Sequence, residues 1–299
     1  MAFSPYDLLA LGAAVCWAFT SIFSATPARH LGALAFTRWR MLLVVAMLWP
    51  VVWWQGTWQG ISLAQIGVMA LSGFVGIFVG DTALFAAMNR LGPRRTSVLF
   101  ATHAFFSALL GYAVLGERMA PQAMLGGLLV MGGVMTATLL GRHKDEAHEW
   151  ESNRGPIGVG VALGLLAAIC QALSSLIAKP VMVSGVDPVA ATAVRVTITC
   201  VAQMVLLWSG YAAARAQRPA TLPVLLQVGF IGFLGMGVGM SLVLMALQHG
   251  DVGMVAILSS VSPVLVLPLL WWRMGRAPAP GAWLGAGLTV LGTALVLLR

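Results

Sequence analysis

The sequence predicts an all-α membrane protein with ten transmembrane helices in two inverted five-helix repeats. Three observations carry this. The 299-residue chain is 60% hydrophobic and only 9% charged, with mean hydropathy +0.92, whereas a soluble domain carries about 25% charge. So little polar surface cannot cover a water-facing globule, and the solvent must be lipid. The chain also divides into ten apolar runs long enough to cross a bilayer. Finally, its second half repeats its first.

The runs are 7–25, 35–54, 63–88, 95–115, 122–140, 156–181, 188–212, 222–247, 252–272 and 281–298. The first has no Lys or Arg before Arg29, so a cleaved signal peptide is not expected. The second opens on Arg38 and Arg40. The third holds GFVGIFVG (73–80) and then Asp81, the one carboxylate well inside a span. The fourth carries His103 in FATHAFF, and Gly116-Glu117 follows it. After the fifth run comes GRHKDEAHEWESNR (141–154), the only long charged segment, which reads as a solvated loop. It marks the domain division: repeat 1–141, linker 142–154 and repeat 155–299. The sixth run turns Gln171, Ser175 and Lys179, each four apart, onto one helix face, with Ser174 at its edge. The seventh holds Arg195. The eighth has GFIGFLGMGVG (229–239), glycine-rich as closely packed membrane helices are. The ninth is broken by SSVSPVLVLP (259–268), and the tenth closes the chain.

A displacement of 159 residues superposes runs three to five on eight to ten without a gap. Gly73, Gly76 and Gly80 fall on Gly232, Gly235 and Gly239; Gly116 and Pro121 fall on Gly275 and Pro280; Leu125-Gly126 falls on Leu284-Gly285. Runs one and six share CWAFTSIFS (16–24) and CQALSSLIA (170–178). An odd number of spans per repeat turns the second half upside down, the arrangement of alternating-access transporters.

Lys and Arg set the orientation. Arg29, Arg90, Arg94, Arg95, Arg142, Lys144, Arg154, Arg215, Arg218, Arg273 and Arg276 lie on one face, with Arg38 and Arg40. Arg118 and Arg299 lie on the other, with Lys179 and Arg195 near helix ends. The positive-inside rule makes the rich face cytoplasmic and both termini periplasmic. The net charge of +8 therefore sits in short loops, not in a nucleic-acid footprint. The three cysteines show no metal spacing and read as buried thiols.

Three details together resemble the drug/metabolite transporter superfamily, in its EamA-type ten-helix branch. They are an arginine opening the second helix of each repeat (Arg38, Arg195), the Gly116-Glu117 elbow, and the polar-Pro step of the ninth helix. The second repeat departs from the pattern with Gly275-Arg276 in place of Gly-Glu. Within that branch the chain, with Trp17 and His103, looks most like bacterial exporters of aromatic and other hydrophobic amino acids. The resemblance implies a multi-pass protein of the bacterial inner membrane, although termini inside are more usual there. It implies a small-molecule substrate, no cofactor and no nucleic acid. Two repeats in one chain make a monomer sufficient, without excluding an oligomer.

Polar groups in hydrocarbon are expensive and should face protein or a cavity. Asp81 reads either as a substrate counter-ion or as the structural partner of an arginine; its repeat mate is Met240. His103 has Ser262 as its mate, so polarity recurs at one position. Trp17, Thr20, Ser21 and Ser24 form a stripe on the first helix that matches the one on the sixth. Ser and Thr can instead bond their own backbone, and Lys179 can snorkel. The substrate-site candidates are thus Trp17, Thr20, Ser21, Phe78, Asp81, Phe85, His103, Gln171, Ser174, Ser175, Lys179, Ser259 and Ser262. In that reading Asp81 or carbonyls near Pro27 and Pro180 accept an ammonium. His103, Gln171, Ser174 and Ser175 donate to a carboxylate. Trp17, Phe78 and Phe85 form the apolar wall. An enzyme is not expected, because no nucleophile, paired carboxylate or metal motif accompanies Asp81 and His103. The alternative substrates are a nucleotide sugar, which would need clustered cations, and a cationic drug held by Asp81.

Overall fold

The computed structural model describes residues 5–91, 93–140, 156–274 and 279–298; the linker 142–154 and the Gly275-Arg276 elbow lie outside them. Ten helices long and apolar enough to cross a membrane follow one another: α1 Pro5–Ser24, α2 Ala33–Gln55, α3 Leu63–Met88, α4 Arg95–Leu115, α5 Pro121–Leu140, α6 Ile157–Val183, α7 Pro188–Trp208, α8 Leu222–His249, α9 Val252–Leu269 and α10 Pro280–Leu297. Every described regular element is helical. Helical backbone satisfies its own hydrogen bonds, which lipid cannot do. Trp53, Trp54 and Tyr112 near one face, and Trp208, Tyr211 and Trp272 near the other, are exposed as interfacial aromatic belts are.

Some helix ends differ from the sequence reading. α7 ends at Trp208 rather than 212, because Gly210 (φ 80°) turns the backbone left-handed directly after it. The helix of α1 runs on past Pro27 to Leu31, and that of α6 past Pro180 to Val183, so neither proline ends its helix.

Contacts in one half recur between mates in the other. A Cβ on Gly73 would lie 2.5 Å from the Arg195 carbonyl, and one on Gly232 3.3 Å from that of Arg40. Gly76 packs on Ser174 and Gly235 on Thr20; Gly80 packs on Cys170 and Gly239 on Cys16. Thus α3 lies on α6 and α7, and α8 on α2 and α1. α5 and α10 pair antiparallel through backbone: a Cβ on Gly126 would sit 2.7 Å from the Gly292 carbonyl, and one on Gly285 2.5 Å from that of Gly133. The seam is tight because small residues let backbones touch.

The irregularities recur as well. α3 widens to i→i+5 turns over Phe74–Gly80, and α8 does the same over Phe233–Gly239, the same register 159 residues on. Such turns cluster at functional sites. α9 breaks between Ser259 and Ser262, as Pro263 requires. α4 breaks at the matching Thr102 with no proline, and His103 begins the next helix.

Burial is less symmetric than contact. Residues 252–261, the start of α9, are all buried. Among their mates at the start of α4, Arg95 is exposed and Ser97, Val98, Leu99 and Phe100 are half-buried. The start of α9 is thus packed more tightly than the start of α4.

Candidate functional site

The site grows out of the two widened turns. Each carries its helix past an arginine from the second helix of its own repeat. In the first repeat Arg40 Nη2 donates to Asp81 Oδ2 at 3.0 Å, with the Phe36 ring 5.4 Å from the guanidinium carbon. In the second, Arg195 Nη1 reaches the Met240 sulfur at 3.3 Å. Asp81 and Met240 are repeat mates, so Arg40 is the mate of Arg195. The sequence pairing of Arg38 with Arg195 is off by half a turn: α2 starts at Ala33 and α7 at Pro188, which places Arg40 and Arg195 each at the eighth residue. Arg38 instead donates to the Ala214 carbonyl and ties α2 to the loop after α7. Both stations sit about 10 Å into their helices at 1.5 Å per residue, one from each face.

Arg195 is 2% exposed. Its Nη2 donates to Ser174 Oγ at 2.8 Å. Ser72 and Ser174 lock α3 to α6 by donating to each other's carbonyls, at 2.7 and 2.8 Å. Trp17 Nε1 donates to the Gly235 carbonyl at 2.9 Å, so the indole clasps the widened turn of α8. Widened turns free carbonyls for such donors.

The other candidates divide. Thr20 and Ser21 bond the carbonyls of Trp17 and Ala18; Thr20 is buried and Ser21 exposed, so they do not share a wall. Ser175 bonds the Gln171 carbonyl, and Ser259 that of Ala256. Phe78 lies against Phe74 at 5.2 Å; Phe85 is half-buried one turn beyond Asp81. His103 is buried, 5.1 Å from the Phe100 ring, and its Nδ1 has no hydrogen-bond partner. Ser107, one turn along the same face, is buried and equally unpartnered. Ser262 is half-buried just past the α9 break. Lys179 stands apart: its Nζ donates to the carbonyls of Leu247 and Gly250, at 2.9 and 2.8 Å. It thereby caps the end of α8, where a cation meets the negative pole. Asp81 is committed to Arg40, so the ammonium role given to it needs that pair to open. Arg40, Arg195 and Ser72 were not among the sequence candidates, though comparing the α2 and α7 starts would have singled out the two arginines.

On the arginine-poor face Glu117 accepts from the Val252 backbone N–H at 2.9 Å (Oε2) and 3.1 Å (Oε1), at the start of α9. Gly116 (φ 68°) makes this elbow. Partial burial raises the Glu117 carboxyl pKa above its ordinary value; the Val252 N–H and Lys179 oppose that, and Asp251 adds to it. Tyr6 stacks on His249 at 3.7 Å, and Gln248 bonds the Val186 carbonyl. No group of three or more metal-ligating side chains occurs among the described residues.

Ten apolar spans whose two halves repeat the same glycine contacts are matched by a known family model. The chain belongs to the EamA-like transporter family. The match runs over residues 4–139 and again over 158–298, once per half. With its ten candidate spans, the chain is a multi-pass membrane protein of that family. A protein of Archaeoglobus fulgidus described as an uncharacterized transporter is 24% identical over 127 residues. That match spans 42% of this chain and 46% of the relative, so the chain covers about half the relative's length. A solved structure titled "Crystal structure of protein" superposes with TM-score 0.78 at 17% identity, over 99% of this chain and 98% of that one. At that identity the likeness speaks for the fold alone.

Proposed function

We propose that this EamA transporter exports small hydrophobic or aromatic amino acids, or similar metabolites, across a bacterial inner membrane by alternating access between inverted repeats 1–141 and 155–299. The observation that carries the reading is the uneven closure of a paired architecture. The start of α9 is fully buried at the arginine-poor face, while its mate at the start of α4 is not. Paired halves of unequal closure are what one state of a rocking transporter looks like. The positive-inside rule makes the looser helix start cytoplasmic and both termini periplasmic, and in this reading cargo enters from within.

The low charge of the interior supports the substrate class. Asp81 is neutralised by Arg40, which leaves a cationic drug without its counter-ion. The two matching arginine stations, Arg40 and Arg195, stand one per repeat rather than clustered, which suits a small acid better than a nucleotide sugar. Trp17, Phe78 and His103 supply aromatic walls. Uptake of labelled Phe, Trp and Met into proteoliposomes, with and without a pH gradient, tests the reading in wild type and His103→Ala. Uptake lowered by His103→Ala supports it. A folded preparation that moves no amino acid overturns it.

A further inference from the structure

The two arginine stations are built alike and completed differently. Arg40 faces a carboxylate; Arg195 faces a thioether in the same place. Among the described residues no carboxylate bonds Arg195. Its partners are a hydroxyl and a sulfur, and its Nε has none. A guanidinium is always charged and offers five donors shaped for a carboxylate. A thioether is a weak acceptor on a flexible arm, so the Met240 position is closed by an easily displaced group. A buried charge is normally paired, and here the pair is incomplete by one anion.

We propose that Arg195 is the carboxylate-binding residue of the transport site, with the cargo's acid group completing in the second repeat the ion pair that Asp81 completes in the first. This deepens the reading as a transporter but does not require that the cargo be an amino acid. Three features support the assignment. Arg195 is buried about 10 Å in from the arginine-poor end of α7, beyond the reach of bulk water. Met240 belongs to an apolar cluster that Trp17 packs against, so an aromatic wall adjoins the cation. The Ser174 hydroxyl, held on α6 and already bonded to Nη2, fixes the guanidinium plane from a different helix. A carboxylate arriving there would displace the Met240 side chain and take donors from Nη1 and Nε. It would thereby bridge α7 to whichever helices hold the rest of the cargo.

The test compares three indoles on the purified protein by calorimetry: tryptophan, indole-3-propionate with the acid alone, and tryptamine with the amine alone. Arg195→Gln removes the charge. Met240→Asp keeps Arg195 and supplies an internal carboxylate, copying the Arg40–Asp81 station, and is expected to fold at least as stably as wild type. Wild type should bind the two acids and not tryptamine. Both variants should weaken the acids on the order of tenfold to a hundredfold, the loss of a charge-assisted contact. Tryptamine binding as tightly as tryptophan overturns the proposal, as does tryptophan binding that Met240→Asp leaves unchanged, or the absence of binding by any of the acids tried. If no indole binds but benzoate does, and Met240→Asp abolishes it, the carboxylate site stands and the amino-acid reading falls.

Discussion

Replacing Asp81 with Met makes the first repeat copy the second and leaves Arg40 without its anion. The partners are 3.0 Å apart with side chains only 13% and 20% exposed, Arg40 and Asp81 respectively. Breaking a buried pair by removing one member costs about 3–5 kcal/mol. The lower end applies here, because Arg195 shows that this fold can house a guanidinium with a hydroxyl and a sulfur beside it. Asp81→Met should therefore cost about 3 kcal/mol. Arg40→Met should cost less, since a stranded carboxyl can take up a proton and a guanidinium cannot lose one. The double Met variant removes both charges and should be close to wild type. Thermal unfolding of the four forms in one detergent closes the cycle. Strong coupling, with the double variant more stable than Asp81→Met, is the expected result. Additive losses would refute the reasoning, because they would mean that the two groups do not sense each other.

Three further outcomes follow from other contacts. A Cβ on Gly285 would meet the Gly133 carbonyl at 2.5 Å, whereas one on Gly287 meets nothing within 4 Å; Gly285→Ala should lower the melting temperature sharply, while Gly287→Ala should hold or raise it by relieving glycine's helix penalty of about 1 kcal/mol. His103→Leu removes a buried, unpartnered ring nitrogen, so the variant should melt no lower than wild type yet transport less; a loss of both would show that His103 is structural. Burial holds the folded pKa of Glu117 above its unfolded value, so its contribution is fully present below the ordinary carboxylate pKa and is lost as pH rises through the folded pKa. Melting curves of wild type and Glu117→Gln should accordingly diverge with rising pH, wild type losing ground; parallel curves would remove Glu117 from the account.

Much of this was legible from the chain. Span existence follows from hydropathy, and the 159-residue register paired the glycines of α3 with those of α8 that make matching contacts. The same register makes Met240 the repeat mate of Asp81. What was not legible needed helix phase. Arg38 and Arg40 are two residues apart and thus on opposite sides of α2, and only packing tells which one turns toward α3. The break in α4 was hidden because Thr102 carries no breaker signal such as Pro263 gives α9. The hydroxyls of Thr20, Ser21 and Ser175 read as a polar wall, yet each bonds its own helix, the competing use that lipid surroundings favour. Lys179 shared a face with Gln171 and Ser175, but its long arm carries the charge to the end of α8.

The glycine seam between α5 and α10 bears on how such a chain can change over generations. Gly126 rests on Gly292 and Gly133 on Gly285, so every seam position abuts the copy of its own neighbour. A substitution there in one half is felt at once by both, and drift is checked by self-contact. Asp81 and Met240 lie away from that seam and each meets an arginine of its own half. They can diverge without consulting their counterparts. Duplication thus hands such a chain a frame that has to stay twinned and two arginine stations that are free to become strangers.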